Sequence, residues 1–498
     1  MITRTSHRLL HDPRRVIAKP YLPGEEIAPA AAGTRAGLLM TRILAIPEEE
    51  VGALVEQTLA LFGARHRGFE EILTRHFALV AHQAGDVPLS RARRLLIGAY
   101  FTNEYSVEGA ALFNPSIVPL IPPSPSPAPS SDPASADPVR FVMSLRAVGE
   151  GHISSIEFRT GMIDGASQVT FDPLSGLLVT GDRTPPTFYD NQKFRAKLVE
   201  LDAGNELAWE VLDRIPGRFT LAELEHSLSL LEHEGPAHAI VYETAKIMRV
   251  LASSSYVTTF PHDSALSERV IFPAGPHETR GMEDARFVRF VEDDGAATYY
   301  ATYTAFDGYE IVPQLIQTDD FISFRIATLN GPAAQNKGMA LFPRRVGGRY
   351  VMLSRRDREN LHLAMSPDVG RWEDVVPLHQ PSRPWELLQI GNCGSPVETA
   401  EGWLVITHGV GPMRRYVLGA LLLDLDDPRR VVGQLREPLL VPEEGEREGY
   451  VPNVVYSCGA MANGNDLILP YGMSDGAVGI AVIDLPQLLA RLHSPGRL

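Results

Sequence analysis

The stretch RFVMSLRAVGEGHISSIEFR, residues 140–159, decides the fold class. It holds a short alternating strand, a Gly-containing turn and a second strand, the pattern of an antiparallel hairpin. Four later stretches repeat this pattern of a strand that ends in polar residues and is followed by another strand. They are TYYATYTAFDG at 298–308, RYVMLSRRD at 349–357, GWLVITHGV at 402–410 and DLILPYGMSDG at 466–476. A multi-strand unit that recurs five times is typical of a β-propeller.

The repetition predicts a mainly β fold in which residues 106–498 form a five-bladed β-propeller. A two-sheet β-sandwich is the alternative for a chain with many short strands. Two features favour the propeller. The units recur from residue 140 to residue 476, and polar residues gather at the strand ends, which surround one central channel in a propeller.

Three other segments differ from the strand pattern. Residues 1–105 are predicted to form an N-terminal helical region, because apolar residues recur at helical spacing in 47–83 and Ser90 is a candidate N-cap. Residues 218–255 read as a helical insertion between the repeats. The Pro/Ser-rich stretch 122–138 offers no apolar surface to bury, and it is predicted to be a surface loop.

The composition excludes several classes of protein. A net charge of −15 argues against nucleic-acid binding, which depends on Lys and Arg meeting phosphates. The two cysteines, Cys393 and Cys458, have no zinc-site spacing and are expected to be reduced and buried. The N-terminus has no apolar core of a signal peptide, and no stretch of about 18 apolar residues predicts a membrane span. We therefore expect a cytoplasmic protein without membrane contact.

The sharpest local motif is ETRGMEDARFVRF, residues 278–290, which places Glu283, Asp284 and Arg286 at the head of a strand. Adjacent charges at a strand head often form only a solvated turn. In a cleft, however, a carboxylic acid near an arginine is suited to protonate a leaving oxygen. The motif is therefore a candidate source of a general acid.

A second motif, NKGMALFPRRVGGRYVMLSRRDREN, places one cation before the first strand and others after the second strand of a predicted hairpin. Antiparallel pairing brings Lys337 and Arg355 to the same end of the sheet. Two cations at one end either bind an anion or pair with the neighbouring Asp357 or Glu359. Both interpretations stay open on these residues alone.

Polar residues also end three other predicted strands. Arg146, Glu150 and His152 flank a pair of glycines that would let backbone approach a ligand closely. His408 ends an apolar strand, and Asp475 lies in a Ser-Asp-Gly turn. A structural role is the alternative for each, since histidines are often buried and satisfied and Asp is a common turn former.

Taken in order, the motifs carry a family resemblance. Residues from about 110 to 492 resemble the mannoside phosphorylases and mannosidases of glycoside hydrolase family 130. The matching segments are ALFNPSIV, SLRAVGEGHISSIEFR, GMEDARF, KGMALFPRRVGGRYVMLSR, GWLVITHGV, EPLLVPEEGEREGYVPNVVYSCG and YGMSDGAVGIA. The resemblance implies a five-bladed propeller, inversion at the anomeric carbon, no metal or cofactor, and inorganic phosphate as a co-substrate.

The resemblance also implies roles for individual residues. Asp284 matches the aspartate that acts as the acid, with Ala285 where the family usually has proline, and in the family the proton is thought to pass through a sugar hydroxyl. The candidate phosphate-binding residues are Lys337, Arg355, Arg356, His152 and His408. The candidate substrate-binding residues are Asn114, Ser116, Arg146, Glu150, Glu283, Arg286 and Asp475.

Phosphorylase and hydrolase differ in what activates the nucleophile. An inverting hydrolase needs a second carboxylate about 6.5–9.5 Å from the acid, and Glu386 and Glu448 are the candidate bases. A phosphorylase instead needs cations that hold phosphate. The basic residues favour an inverting phosphorylase that cleaves β-mannosides to mannose 1-phosphate. An inverting β-mannosidase is the alternative on the same fold, and a non-catalytic propeller that binds glycans or proteins is the alternative of another class.

The expected partners are therefore a mannose-containing oligosaccharide and phosphate. The sequence names neither the linkage nor the acceptor sugar, and it leaves open whether the protein forms a homo-oligomer.

Overall fold

The computed structural model describes residues 1–23, 34–121, 138–234 and 239–493. These residues are mainly β, and most of their strands belong to antiparallel sheets. The surface loop predicted at 122–138 lies, apart from Pro138, outside the described residues.

The strands form five consecutive antiparallel units, which we number 1 to 5 along the chain. Unit 1 contains Ala111–Pro119, Val139–Val148, Ser154–Ile163 and Val169–Phe171. Unit 2 contains Gly281–Val291, Ala297–Phe306, Ile311–Thr318 and Ser323–Thr328. Unit 3 contains Ala340–Leu341, Tyr350–Ser354, Leu361–Ser366 and Asp374–His379. Unit 4 contains Gln389–Asn392, Val397–Thr399, Gly402–Val410, Tyr416–Leu423 and Val431–Gln434. Unit 5 contains Val455–Tyr456, Met461–Asn463, Asp466–Met473, Ala477–Asp484 and Ile2–Leu10.

Shorter strands extend this framework. Two pairs lie outside the units, Val16–Pro20 with Thr102–Ser106 and Tyr189–Asp190 with Arg218–Phe219. Four further strands join the edges of units 1 and 2, namely Val179–Thr180, Asp182–Thr184, Tyr256–Thr259 and Arg269–Ile271. A single parallel pairing, Gly281 with Ser154, connects the sheets of units 1 and 2.

Apolar clusters pack each unit against the next in a closed cyclic order. Phe158 of unit 1 shares a cluster with Phe287 of unit 2, and the clusters between units 2 and 3, 3 and 4, and 4 and 5 follow the same pattern. The cycle closes because Met143 of unit 1 shares a cluster with Ile468 of unit 5. Burial of these strand faces is the main force holding the sheets together. Each of the five repeated stretches of the sequence contains the strand that pairs with the first strand of its unit.

The N-terminal strand corrects the predicted boundary of a helical region at 1–105. Ile2–Leu10 pairs antiparallel with Ala477–Asp484, with Ile2 opposite Ile483, and so completes unit 5. The sequence ITRTSHRLL hid this strand because most of its side chains are polar, and none of them is fully buried. Nine residues of unit 5 therefore come from the opposite end of the chain.

Helices lie in two main groups. The N-terminal group is Arg35–Leu44, Glu48–Phe62, Phe69–Val80 and Arg91–Tyr100, and the second group is Asn191–Glu200, Glu206–Asp213, Leu221–Glu234 and Ala239–Ser253. The predicted N-cap is confirmed, because Ser90 Oγ accepts a hydrogen bond from the backbone N–H of Arg93. A further helix, Leu485–His493, follows unit 5. Among the described residues, no helix is long and apolar enough to cross a bilayer.

Short 3₁₀ turns fall within the connections. They are Gly63–Arg65, Ala81–Ala84, Glu150–His152, Leu266–Glu268, Pro276–Glu278, Pro412–Arg414 and Glu444–Glu446.

A buried network of four charges holds the N-terminal segment against unit 1. Arg15 contacts Glu108 at 2.7 Å and Glu157 at 2.6 Å, and Arg159 contacts the same two carboxylates at 2.5 and 3.1 Å. All four side chains are at most 5% exposed. Burial and the neighbouring Glu157 raise the pKa of Glu108, and the charges of Arg159 and Arg15 oppose this shift. Each guanidinium thus offsets the cost of burying two acids.

Removal of one of these cations should destabilise the fold strongly. Arg15→Met leaves two buried carboxylates with a single guanidinium, and we expect a loss of about 3–5 kcal/mol in the free energy of unfolding. The adjacent Arg14 provides a matched control, because its pair with Asp12 is largely exposed, and Arg14→Met should leave the free energy of unfolding nearly unchanged. Chemical denaturation of both variants measures the difference. Equal losses would contradict the role of the buried network.

Candidate active site

One cavity of about 400 Å³ receives side chains from all five units. The residues that line it are Asn114, Arg146, Asp284, Ile311, Asn336, Lys337, Arg355, Arg358, Gln389, His408, Arg414, Tyr416, Val451, Val454, Tyr456 and Asp475. Five of these are Lys or Arg and two are carboxylates, in a protein whose net charge is −15. The cavity is therefore a local concentration of positive charge, which suits an anionic ligand.

Two β-bulges place Asn114 and Asp284 side by side. The pairing register shifts between Phe113 and Ser116 and again between Glu283 and Arg286. Both bulged residues have positive φ angles, +48° for Asn114 and +55° for Asp284, a backbone conformation that is costly for residues other than Gly. Asn114 Nδ2 donates a hydrogen bond to Asp284 Oδ1 at 2.7 Å. The bulges thus turn both side chains out of the regular ladder and hold them together.

The charges around Asp284 keep its carboxylate ionised. Arg146 Nη1 lies 3.4 Å from Asp284 Oδ1, and Arg286 Nη1 donates to the Asp284 carbonyl at 2.9 Å. Burial raises the pKa of Asp284, but the charges of Arg146 and Arg286 and the Asn114 hydrogen bond outweigh it and lower the pKa to about 2. A proton on Asp284 at neutral pH therefore requires a change in the surrounding charge.

Glu283 links two of the cations. Its carboxylate accepts a hydrogen bond from Arg146 Nη2 at 2.8 Å and from Lys337 Nζ at 2.6 Å. Arg146 also donates to Ser154 Oγ at 3.0 Å. These bonds fix the positions of Arg146 and Lys337 on the two sides of Glu283.

The wall formed by units 3 and 4 carries the other cations. Arg355 Nη1 lies 3.2 Å from Nε2 of His408, and because a guanidinium can only donate, His408 accepts through Nε2. Burial, followed by the charges of Arg355 and Arg286, lowers the pKa of His408 well below its usual value. Arg355 Nε and His408 Nδ1 are buried without a partner among the described residues. The Arg355 guanidinium lines the cavity and is within reach of a ligand bound there.

Asp475 is the second carboxylate of the cavity. It has a φ of +52° in the turn that joins the two central strands of unit 5. Burial and the negative charges of Asp284 and Glu283 raise its pKa to about 6, although Arg146 opposes the shift. Two carboxylates whose pKa values are pushed apart, to about 2 and about 6, are an arrangement that active sites use for proton transfer.

The structure brings part of the predicted set of residues into this cavity. Asn114, Arg146, Asp284, Lys337, Arg355, His408 and Asp475 line it.

Four predicted ligand-binding residues lie elsewhere. Ser116 is fully buried and its Oγ accepts from the backbone N–H of Phe287, so it supports the strand that carries Asp284. Arg286 is also buried beneath the cavity, where it holds the Asp284 carbonyl and the Tyr456 hydroxyl. Glu150 and Arg356 are exposed and are absent from the cavity lining, because each follows a residue at which its strand turns away.

The other predicted residues fall at the edges or outside the cavity. Glu283 and His152 line a neighbouring cavity instead. Glu386 is buried in its own loop, where it accepts from the backbone of Ser382 and Arg383. Glu448 is exposed, and the described lining of the cavity includes neither candidate base.

Sequence reasoning missed several residues of the cavity. They are Asn336, Arg358, Gln389, Arg414, Tyr416 and Tyr456. Arg358 and Arg414 share a signal that could have identified them, because each lies in the turn that follows the repeated strand of its unit, as His152 and Asp475 do. All four have positive φ angles, but non-Gly residues in this conformation cannot be recognised from the sequence alone.

Comparison with known proteins assigns the chain to a family. A family model described as beta-1,4-mannooligosaccharide phosphorylase matches residues 255–493. A 1,2-β-oligomannan phosphorylase from Thermoanaerobacter sp. is 38% identical over 220 residues, which are 42% of this chain and 71% of that protein. The chain belongs to glycoside hydrolase family 130. Within this family, a β-1,2-mannobiose phosphorylase from Listeria innocua is 31% identical over 47% of this chain and 66% of its own length.

A solved structure of a family 130 protein can also be superposed. The β-1,2-mannobiose phosphorylase from Listeria innocua, in complex with β-1,2-mannobiose, has a TM-score of 0.46 and 23% identity. The superposition covers 78% of this chain and 94% of that chain.

Replacement of Asp475 should stabilise the protein in a pH-dependent manner. The raised pKa means that the folded state disfavours the ionised form, so the wild type loses stability as the pH rises from about 4 to above 6. Asp475→Asn carries no charge, and we expect it to raise the free energy of unfolding by about 1–3 kcal/mol at pH 7.5. At pH 3.5 most of the gain should be lost, because Asp475 is then mostly protonated in both states. A gain that is the same at both pH values would contradict the assignment.

Proposed function

We propose that the protein is an inverting phosphorylase that cleaves β-mannosides with inorganic phosphate and releases mannose 1-phosphate. The observation that carries the proposal is the excess of cations over carboxylates in the central cavity. The cations are Arg146, Lys337, Arg355, Arg358 and Arg414. Family membership supports the same reaction class, since the related proteins from Thermoanaerobacter and Listeria are phosphorylases of β-mannosides.

The basic wall of units 3 and 4 is the proposed phosphate site. Phosphate is already a nucleophile, so the protein must bind and orient it but needs no base to deprotonate it. Guanidinium groups suit this task because two N–H groups can meet two phosphate oxygens. Arg355 has an unpaired buried Nε, and His408 fixes its position through the bond to Nη1.

The positions of the carboxylates make the hydrolase the weaker alternative. A hydrolase on this fold needs a base on the face opposite the acid. Glu386 is engaged in its loop and Glu448 lies at the surface, so neither candidate can contact a water in the cavity. A phosphorylase needs no such group.

Asp284 is the proposed acid, and phosphate itself supplies the change in charge that the acid requires. The cations that lower the pKa of Asp284 include Arg146 and Lys337. A bound phosphate dianion adds negative charge among the same groups, and nearby negative charge raises the pKa of a carboxyl. Binding of the nucleophile thus favours protonation of Asp284. Asp475, whose pKa is about 6, is the second group that could carry the proton.

The proposed architecture is a five-bladed β-propeller whose blades are units 1 to 5 and whose channel contains the cavity. The cyclic packing of the units and the contribution of every unit to one cavity support it. Residues 106–493 with the strand Ile2–Leu10 would form the catalytic domain. A cytoplasmic location and the state of assembly stay predictions.

The phosphate site can be tested by removing Arg355. A hydrogen bond to a charged group contributes about 1.5–3 kcal/mol, so Arg355→Ala should raise the KM for phosphate at least about tenfold and change the KM for the mannoside much less. Arg356→Ala is the matched control, because this neighbouring arginine is exposed and outside the cavity lining. Initial rates of mannose 1-phosphate release measure both constants. Release of free mannose at a rate independent of phosphate would favour the hydrolase.

The acid can be tested with substrates that differ in their need for a proton. Asp284→Asn should reduce the rate on a natural β-mannoside by about 10²–10⁴-fold, because the leaving sugar oxygen must be protonated. An aryl β-mannoside with an acidic leaving group should lose much less. Asp475→Asn tests the second candidate, since a loss confined to the natural β-mannoside in this variant, and absent from Asp284→Asn, would identify Asp475 as the proton carrier. Equal losses on both substrates in Asp284→Asn would remove Asp284 from the role of acid.

A further inference from the structure

A cavity of about 660 Å³ lies between the N-terminal helices and the edge strands of units 1 and 2. Its lining residues are Ile17, Ala18, Lys19, Pro20, His66, Arg67, Gly68, Glu71, Ile72, Arg75, His76, Leu79, Leu178, Val179, Thr180, Gly181, Asp182, Arg183, Pro261, Phe272 and Pro273. We call this space the N-terminal cavity. None of these residues lines the central cavity or the neighbouring cavity that contains Glu283 and His152. A volume of this size is within the range of small-molecule sites.

Two separate parts of the chain build the N-terminal cavity. The strand Val16–Pro20 and the helix Phe69–Val80 belong to the N-terminal segment. The strands Val179–Thr180 and Asp182–Thr184 and the residues that follow Arg269–Ile271 belong to the edges of units 1 and 2. A ligand in this cavity would contact both parts, and its binding would therefore stabilise the packing of the helices on the ring.

Two cations of the lining have no carboxylate partner among the described residues. Lys19 is half-buried, and its ammonium lies 5.2 Å from the centre of the Tyr105 ring and 5.4 Å from the centre of the Phe272 ring. Arg183 donates to the backbone carbonyl of Phe272 at 2.5 Å. Both cations therefore lie at the end of the cavity that Phe272 forms, and an anion bound there would gain from both charges.

The other two cations of the lining already have carboxylate partners. Arg67 lies 2.6 Å from a carboxylate oxygen of Asp263 and 3.1 Å from one of Glu268, and Arg75 lies 2.8 Å from one of Asp182. The positive charge that is available to a ligand is therefore concentrated at one end of the cavity.

His76 supplies a neutral hydrogen-bond acceptor on the cavity wall. Thr102 Oγ1 donates its one proton to the Gly98 carbonyl at 2.7 Å, so it accepts a hydrogen bond from His76 Nδ1 at 2.6 Å. Burial, followed by the charge of Arg75, lowers the pKa of His76 to about 4, and the ring is neutral at pH 7. His76 Nε2 therefore carries a lone pair, and none of the described residues donates to it.

The rest of the lining combines acceptors with apolar surface. Glu71 and Asp182 are exposed and present carboxylate oxygens. Ile17 and Leu178 are buried side chains of the wall. Acceptors of this kind suit the hydroxyl groups of a sugar, and the aliphatic side chains suit the C–H groups of its ring.

The lining offers little to a nucleotide base. It contains no Tyr or Trp, and the ring of its one Phe, Phe272, already has the Lys19 ammonium over it. We propose that the N-terminal cavity is a second ligand site that binds a hexose phosphate, with the phosphate group at Lys19 and Arg183 and the sugar hydroxyls at His76 and the carboxylates. This assignment does not rest on the proposed phosphorylase function.

The experiment titrates the full-length protein calorimetrically with mannose 6-phosphate, a hexose phosphate that carries no phosphate on its anomeric carbon. A hydrogen bond to a charged group contributes about 1.5–3 kcal/mol, so Lys19→Met and Arg183→Met should each raise the Kd at least about tenfold. Methionine keeps the aliphatic contact of Lys19 with the two rings, and Arg183 is exposed, so both variants should fold.

Two control variants separate this site from others. Lys246→Met removes a largely exposed lysine from the helix Ala239–Ser253 and should leave the Kd unchanged. Arg355→Ala alters the central cavity and should also leave it unchanged. Inorganic phosphate and mannose, titrated separately, should each bind at least about tenfold more weakly than mannose 6-phosphate, because each meets only part of the lining.

Four outcomes would overturn the assignment. Binding that is lost in Arg355→Ala and retained in Lys19→Met would belong to the central cavity. Equal affinities for inorganic phosphate and mannose 6-phosphate would show an anion site without a sugar site. Tighter binding of adenosine monophosphate in the same titration would indicate a nucleotide site. A wild-type protein that binds no mannose 6-phosphate would remove the second site, and all four outcomes leave the proposed phosphorylase function standing.

Discussion

The Arg146 guanidinium is the interaction on which the candidate active site depends. It contacts the carboxylates of Glu283 and Asp284 and donates a hydrogen bond to Ser154 of its own sheet. Its central carbon atom, Cζ, lies 5.1 Å from the centre of the Phe113 ring. A single cation thereby fixes residues from two units and lowers the pKa of the carboxyl proposed as the acid. Arg146 also lines the neighbouring cavity that contains Glu283 and His152, so it lies where the two spaces meet. The charges of the site are therefore coupled, and the binding of one ligand changes the proton affinity of the group that acts on another.

Much of the fold could be predicted from the sequence, because every unit has the same physical requirement and the same sequence pattern meets it in each. Each unit needs an apolar strand buried on both faces, and the stretches at 298–308, 402–410 and their equivalents meet this requirement with runs of apolar residues. The strand Ile2–Leu10 escaped prediction because it lies at the edge of its sheet, where one side is open and polar residues are tolerated. Edge strands carry a weak hydrophobic signal for this reason.

The candidate site was predictable where its residues lie near the end of a buried strand, as Arg146 and His408 do, or directly after one, as Arg355 does. It was not predictable where bulges and turns redirect side chains. Arg355 and Arg356 are adjacent and chemically identical, yet only the first lines the cavity, because the strand ends at Ser354 and Arg356 lies in the turn that follows. In the same way, the turn after Val148 separates Glu150 from His152. Strand pairing and left-handed backbone conformations determine which of these side chains line the cavity, and both depend on the complete fold.

The pairing of Ile2–Leu10 with Ala477–Asp484 has a kinetic consequence for synthesis of the protein. Ile2 leaves the ribosome long before its partner Ile483, and at typical elongation rates of about 5–20 residues per second the wait is roughly half a minute to a minute and a half. During this time unit 5 is incomplete and the ring of apolar clusters is open between units 5 and 1. Such distant contacts are expected to form late and slowly. The charged side chains of the N-terminal strand, including Arg4 and Arg8, then serve a purpose before folding is complete, because they disfavour association of the waiting strand with other chains.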